Sequence, residues 1–414
     1  MRKTLLWLLV AIGMATTQAS AQNQSDSSLT PQEIKERLDG INENLNTLNG
    51  DVAILKWLKV SGYLQARYEY NDSSTSTDTL LKGVATNRNA NNFYIRRGRI
   101  KFTFQPQQSS KYVIYFDASK NSVSLKEAYV ELNRVHKWNT FTLTAGQFNV
   151  PFGYEIEYSS SKRDFPERSL AENKLFPGER DRGINFTYAA PKYLQLNLGL
   201  LQGLGIDGPW NTPLKTKNVV ARAKAKLGII DFGMSGYWGK SYVNSVAAVD
   251  GSSTWYDANG NSRVDSGEVK TTSPKAAVPG STWDKDRYGI DAQAYLDLLP
   301  VGATGIRAEY FKARDYNSTA KKVLHEQGWY GWVSQSLGNK FGAAVRYDYW
   351  DPNTLTLGDA TGTWSFALHY FYDANVRLTA AYDIPHLLDG NSTFTKSVKD
   401  VKDNRFTLQF QYTI

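Results

Sequence analysis

Two stretches of the chain carry a basic side chain at every second position. Arg97, Arg99 and Lys101 alternate with Gly98, Ile100 and Phe102, and Arg222, Lys224 and Lys226 alternate with Ala221, Ala223, Ala225 and Leu227. At a period of two, an extended strand presents a cationic ladder on one face and an apolar surface on the other. Such ladders attract anions, and the planar guanidinium matches phosphate with paired hydrogen bonds. Acids at strand-like positions (Glu69, Asp117, Glu127, Glu131, Asp291, Glu309 and Asp348) supply the opposing charge.

A second pattern lies in residues 257–268. Asp257, Asn259, Asn261, Asp265 and Glu268 occupy positions 1, 3, 5, 9 and 12 of a calcium-binding loop, and Arg263 at position 7 needs to offer only its carbonyl. Ser262 stands at position 6, where such loops turn on glycine, and Gly260 comes two residues early. Two readings stay open: a structural calcium site, or an Asn/Gly-rich surface loop.

Residues for catalysis are sparse. His136, His325, His369 and His386 show no metal spacing, cysteine is absent, and no nucleophile elbow or phosphate-binding glycine loop occurs. No enzyme is expected and no cofactor is required. A hydrolase built from a strand serine and His369 is the weakest alternative, and nucleic-acid binding by the basic strands conflicts with the export signal described next.

The elements that position these residues follow in chain order. Residues 1–21 read as a signal peptide: Arg2 and Lys3, then an apolar run from Leu5 to Ala15, then the small-residue cleavage site Ala19-Ser20-Ala21. The formal charge of +8 includes the two bases of this segment. Residues 22–29 read as a flexible leader. Thr30, Pro31 and Glu33 form a helix start, and Ile34, Leu38, Ile41, Leu45, Leu48, Val52 and Leu55 follow at alternating spacings of four and three. This narrow seam over the helix 30–56 predicts a self-associating coiled coil, with a helix lying on its own domain as the alternative.

From residue 57 to 414 the period changes to two. Sixteen candidate strands begin near residues 58, 92, 111, 124, 140, 181, 193, 218, 231, 286, 302, 327, 341, 362, 376 and 404. Connections after the odd strands are mostly long (about 72–91, 149–179, 202–217, 240–284, 313–325, 351–361 and 384–403), and those after the even strands are short. Tyr is abundant (25) and aromatics reach 13%. Long loops at one end, tight turns at the other and a strictly alternating last strand, 406–414, predict an all-β membrane protein: a 16-stranded antiparallel outer-membrane β-barrel preceded by a short periplasmic coiled-coil helix. Trp57, Trp138, Tyr193, Trp329, Trp332, Tyr349, Trp350 and Tyr372 are the expected interface girdle. A charge on the lipid face costs about 2–4 kcal/mol, so both ladders must face the lumen.

The segments GQFNVPFG (146–153), ERS (167–169) and RDRGI (180–184), with RRGRI (96–100) and KEAYVEL (126–132), resemble the phosphate-selective porin family, porins O and P. The resemblance implies trimeric sixteen-stranded barrels in which the loop at about 149–179 folds inward and narrows the lumen. By resemblance, Arg163, Arg168, Lys174, Arg180 and Arg182 line or brace that constriction; read on their own, they pair with Asp164, Glu167, Glu172, Glu179 and Asp181 in the same loop. The coiled-coil helix is not part of the family pattern.

The expected function is passive diffusion of small hydrophilic solutes through the outer membrane, with anions, phosphate among them, preferred. The expected partners are outer-membrane lipid, two further copies of the chain and small anionic solutes, with peptidoglycan or a periplasmic protein as options for the helix. A barrel without a channel, acting as adhesin or tether, is the alternative, and a soluble carbohydrate-binding β-protein comes third.

Overall fold

The structure is a computed structural model describing residues 30–71, 91–119, 122–136, 139–190, 193–208, 215–243, 245, 247–277, 279–317, 322–388 and 404–414. The signal peptide and leader expected over 1–29, Trp138, and nearly all of the loop expected at 72–91 lie outside these residues. The chain divides into two units, Met1–Lys56 and Trp57–Ile414.

In the first unit, helix α1 spans Pro31–Leu55. Its start is a capping box: the Thr30 amide donates to Glu33 Oε2 at 2.9 Å, and the Glu33 amide donates to Thr30 Oγ1 at 3.4 Å. The seam residues Ile34, Leu38, Ile41, Leu45, Leu48 and Leu55 are all exposed; the Val52 side chain lies outside the described residues. Among the described residues no helix is both long and apolar enough to cross a membrane.

The second unit is a closed antiparallel barrel of sixteen strands. Along the chain these are β1 (Leu58–Asn71), β2 (Asn91–Gln107), β3 (Ser110–Ser119), β4 (Ser122–His136), β5 (Asn139–Asn149), β6 (Arg180–Ala190), β7 (Leu194–Leu201), β8 (Asn218–Leu227) and β9 (Ile230–Val243). A small hairpin of β10 (Ser252–Trp255) and β11 (Val269–Thr272) follows, outside the barrel sheet. The barrel then continues through β12 (Ser281–Leu299), β13 (Gly302–Asn317), β14 (Lys322–Leu337), β15 (Phe341–Asp351), β16 (Thr361–Phe371), β17 (Val376–Leu387) and β18 (Arg405–Thr413). It closes by pairing β1 with β18, from Tyr63 opposite Thr413 to Asn71 opposite Arg405.

The strand faces are inverted relative to a soluble protein. On β18, Leu408 and Phe410 face outward at 41% and 45% exposure, whereas Thr407, Gln409 and Gln411 are buried inside. On β2, Ile100 and Phe102 face outward while Arg97 and Arg99 are buried. Such a barrel satisfies its strand hydrogen bonds without an edge and presents apolar side chains to lipid. One loop departs from expectation. The connection anticipated at 313–325 shrinks to 318–321, because β13 and β14 continue in register to Asn317 opposite Lys322. Polar residues there extend the wall, so their polarity alone does not mark a loop.

Candidate functional site

Residues 150–179, between β5 and β6, fold back into the barrel and carry two short helices, α2 (Tyr154–Glu157) and α3 (Leu170–Leu175). One side of this loop is apolar. Phe152, Ile156, Phe165, Leu170, Leu175 and Phe176 form a buried cluster with Phe311, Tyr330, Trp332 and Trp350 of β13 to β15. Gly153 sits at φ 62°, and a Cβ there would come 2.1 Å from Glu309 Oε1, so only glycine fits. The Glu309 carboxylate accepts the Tyr154 and Glu155 amides at 3.0 and 3.4 Å, and the Gly153 amide donates to Ser235 Oγ at 3.1 Å. Asp164 pairs with Arg307 at 2.9 Å, and Ser169 caps α3 by accepting the Glu172 amide.

The loop's other side is polar and meets a wall of bases. Arg67, Arg96 and Arg97 converge on Glu167 at 2.6, 2.6 and 3.1 Å. Burial disfavours the Glu167 anion, but Arg96, Arg97 and Arg67 outweigh it and hold this loop carboxyl well below the usual carboxylate range. Glu179 is held likewise, at 3.2, 2.9 and 3.0 Å from Arg163, Arg168 and Arg180, in a left-handed conformation at φ 67°. The tip is tied down by Gln65 donating to the Ser160 carbonyl at 3.1 Å, and by Arg377 and Gln411 donating to the Ser161 carbonyl at 3.2 and 2.8 Å.

Two β-bulges enlarge the basic wall. On β2, Arg97 pairs with Gln65 and Ile95 with Ala66, leaving Arg96 as the extra residue. On β4, Glu127 pairs with Tyr115 and Leu125 with Phe116, leaving Lys126 as the extra residue. Unbroken alternation would place both on the lipid face; each bulge turns its base into the lumen. Gln147 secures the second bulge by donating to the carbonyls of Leu125 and Lys126 at 2.8 and 3.0 Å. RRGRI, KEAYVEL and GQFNVPFG are therefore devices that place bases inside and seat the loop.

Two cavities meet along this wall. The one towards the loop end, about 280 Å³, is lined by Arg96, Arg97, Arg99, Lys126, Arg168 and Arg180 against Asp117, Glu167 and Glu179. The one towards the turn end, about 580 Å³, includes Ser61, Tyr63, Lys101, Tyr115, Glu127, Tyr129 and Thr413. Arg99, Glu179 and Arg180 line both and mark the narrowing between them. There Arg99 pairs with Asp117 at 2.7 Å, and Glu127 is shared by Lys101 and Arg180, each at 2.9 Å. The Arg99 and Arg180 guanidiniums lie 5.7 and 5.8 Å from the Tyr115 ring centre.

Of the first ladder, Arg97 holds the loop, whereas Arg99 and Lys101 border the cavities. Of the second, Arg222 is enclosed by Asp291 and Glu157, Lys224 pairs with Glu157 at 3.0 Å, and Lys226 is exposed opposite Asp231. In the loop, Arg163, Arg168 and Arg180 cluster on Glu179, and Lys174 lines a separate cavity. Arg182 is corrected: paired with Gln147 and on the same face as the exposed Ile184, it points outward and donates to the carbonyls of Gly205 and Gly208. Trp332 and Trp350 are also corrected, from girdle to lumen; each shares a face with inward charges, and both pack on the loop. Arg67, Arg96, Lys126, Arg307 and Arg346 escaped the sequence reading, the bulged pair because a strict period of two assigns them the wrong face.

In the loop 257–268, Asp257 accepts the amides of Gly260, Asn261 and Ser262, and Asn261 accepts that of Arg263. Asn259 and Asn261 donate to Asp265, and Glu268, 5% exposed, accepts the amides of Ala258 and Asp265. Ser262 adopts φ 57°, the conformation for which glycine was expected. Among the described residues no group of three or more His, Cys, Asp or Glu side chains could hold a metal on its own; here oxygens from Asn and the backbone would have to contribute.

The model of the family described as phosphate-selective porin O and P matches residues 74–414. No curated protein matches the chain. Among solved structures, the outer membrane channel DcaP of Acinetobacter baumannii aligns at 11% identity with a TM-score of 0.55, covering 86% of this chain and 97% of that one. The trimer form of OmpT, an outer membrane protein of Vibrio cholerae, aligns at 11% identity and 0.53, covering 86% and 99%. An anion-selective porin from Comamonas acidovorans aligns at 9% identity and 0.53, with the same coverages. At such identities these likenesses establish the barrel fold.

Proposed function

We propose that this chain, which belongs to the phosphate-selective porin O and P family, passes small hydrophilic solutes across the outer membrane by passive diffusion and favours anions, phosphate among them. The carrying observation is the charge balance of the cavity at the loop end, where six bases face three acids and Glu167 and Glu179 are each shared by three guanidiniums. The excess lowers the barrier for anions, and the inward loop sets the size limit. No residue is assigned a chemical step. A reversal potential in a KCl gradient across a planar bilayer is expected to show anion preference, reduced in Arg99→Ala; cation preference in the wild type overturns the reading. The absence of conductance steps would favour a tether or adhesin instead.

The exposed seam of α1 fits self-association of three copies, in line with the trimer form of the Vibrio cholerae neighbour. The start of β1 at the turn end, with Leu58 opposite Phe104, supports our reading of α1 as periplasmic. A soluble peptide of residues 30–56 is expected to sediment as a trimer, and a monomeric peptide would remove the assignment. We assign the loop 257–268 a structural calcium ion, supported by Ser262 taking up the turn at position 6. Calcium is expected to slow proteolysis of this loop, and an unchanged cleavage rate rules the ion out.

A further inference from the structure

A third cavity, about 440 Å³, lies beside the narrowing and shares only Glu179 and Arg180 with the other two. Its roof is the turn 203–208 after β7, which packs so closely on the inward loop that a Cβ at Gly178 would come 2.5 Å from Ile206 Cγ2. Its floor is the Phe176 ring with Tyr237, and Leu204 and Ile206 add an apolar rim. Two cations of β12 border it. The Arg287 guanidinium lies 4.5 Å from the Phe176 ring centre and 5.6 Å from that of Tyr237, with Nη2 3.1 Å from Asp315. Lys285 Nζ is 3.7 Å from the same carboxylate. Arg287 is 6% exposed, and its Nε has no hydrogen-bond partner. Its neighbour Tyr288 faces outward beside Trp238.

We propose that this side cavity binds small organic monocarboxylates with an apolar body. The carboxylate takes the guanidinium and ammonium edges that Asp315 leaves over, and the body lies on Phe176 between Leu204 and Ile206. The volume lies within the roughly 300–1,000 Å³ of ligand pockets, and the lining sets the apolar surface of Phe176, Leu204 and Ile206 beside the cations Lys285 and Arg287. An inorganic anion satisfies the cations but leaves the apolar surface uncovered. The site does not depend on which ions the channel prefers, because it stands beside the path between the other two cavities.

Benzoate, acetate and inorganic phosphate are the probes, titrated calorimetrically into the full-length protein in detergent, with heat-modifiable migration confirming a folded barrel. Saturable benzoate binding is expected, displaced by acetate or phosphate only at concentrations about ten-fold higher. Arg287→Ala is expected to weaken benzoate about ten-fold, the loss of one hydrogen bond to a charged group. Ile206→Asp, in the roof, is a second variant should the first not fold, and is expected to weaken benzoate at least as much. The proposal is overturned by absence of saturable benzoate binding, by equal displacement with phosphate or acetate, or by unchanged affinity in a folded variant.

Discussion

The inward loop touches two walls that hold it by opposite means. Against β13 to β15 it is packed with Phe152, Ile156, Phe165 and Leu170 on Trp332, Tyr330 and Trp350, and the bases there are matched by acids: Arg307 with Asp164, Arg346 with Asp348. Against β1 to β4 there is no comparable apolar cluster among the described residues, and bases of this wall outnumber its acids: Arg67, Arg96 and Arg97 share Glu167, while Glu179 is held by Arg163 and Arg168 of the loop and Arg180 of β6. The first wall spends its surface on contact and leaves little space. The second leaves cavities, and in the one towards the loop end the surplus of bases gives the opening a sign. One loop thus uses burial to fix its position and electrostatics to define the opening.

The most disruptive way to break this division is to remove the acid from the basic side. Glu167→Gln leaves Arg67, Arg96 and Arg97 buried together without their shared counter-charge, and loss of one partner from a buried pair costs about 3–5 kcal/mol. The tip should detach, giving noisy, larger conductance and faster proteolysis within 159–169. If conductance stays quiet and unchanged, the three-to-one clamp is not what holds the loop on this wall.

On the opposite wall the corresponding change is Ile156→Ala, at a side chain 1% exposed. A buried isoleucine cut to alanine costs about 2–5 kcal/mol through lost transfer and a residual cavity. Because no charge changes, the loss should be insensitive to salt, whereas the Glu167→Gln defect should vary with ionic strength. Equal salt dependence in both variants, measured by thermal migration shifts at low and high salt, would erase the proposed contrast.

How far these walls were legible in the sequence follows from what alternation can carry. The period of two gave the sixteen strands, the barrel and the inward direction of Arg97, Arg99 and Arg222, because lipid and lumen demand opposite side chains along every strand. Alternation fails wherever one residue is inserted, so a strict period of two places Arg96 and Lys126 on the wrong face, although the RRGRI and KEAYVEL strings contain the insertions. It also assigns a face without naming what lies opposite. Trp332 and Trp350 therefore looked like girdle residues, although Trp350 shares parity with Arg346 and Asp348 on β15, and Trp332 with Glu326 on β14, and so could have been placed inside. The pairing of Glu167 with three guanidiniums on two strands depends on a loop path that no local pattern encodes.

A third, smaller effect sits where the two walls meet. Glu172 on α3 is fully buried, both carboxylate oxygens lack a hydrogen-bond partner, and its nearest base, Arg168, is 3.8 Å away. Burial pushes this loop carboxyl up to about 8, Arg168 and Arg163 opposing and Glu155 and Glu179 adding to the rise; Glu309 and Tyr330 face it from the wall. The docked loop therefore prefers the protonated acid. Docking is strongest below about pH 4.5, where a released Glu172 would also be protonated, weakens as pH rises towards about 8, and is level above that. Loop proteolysis should accelerate across this window in the wild type, and Glu172→Gln should remove this residue's share of the rise. An identical pH profile in the variant would assign the dependence to another group.

The smallest expected effect tests the basic wall without loosening the loop. Lys126 lines the cavity at the loop end and makes no ion pair among the described residues, so Lys126→Gln removes charge but no anchor. One unit charge at 4 Å in water shifts an anion by about 1 kcal/mol and a cation by about as much in the opposite sense, so the anion-to-cation permeability ratio should fall by no more than about thirty-fold. Conductance noise should stay at the wild-type level, because the bulge is held through backbone carbonyls by Gln147 rather than by the lysine side chain. Gln147→Ala should do the reverse, loosening the bulge while leaving the formal charge untouched. If Lys126→Gln leaves the reversal potential unmoved, the surplus that gives the wall its sign must reside in the guanidiniums already shared with Glu167 and Glu179, and the bulge on β4 would serve the seating of the strand alone.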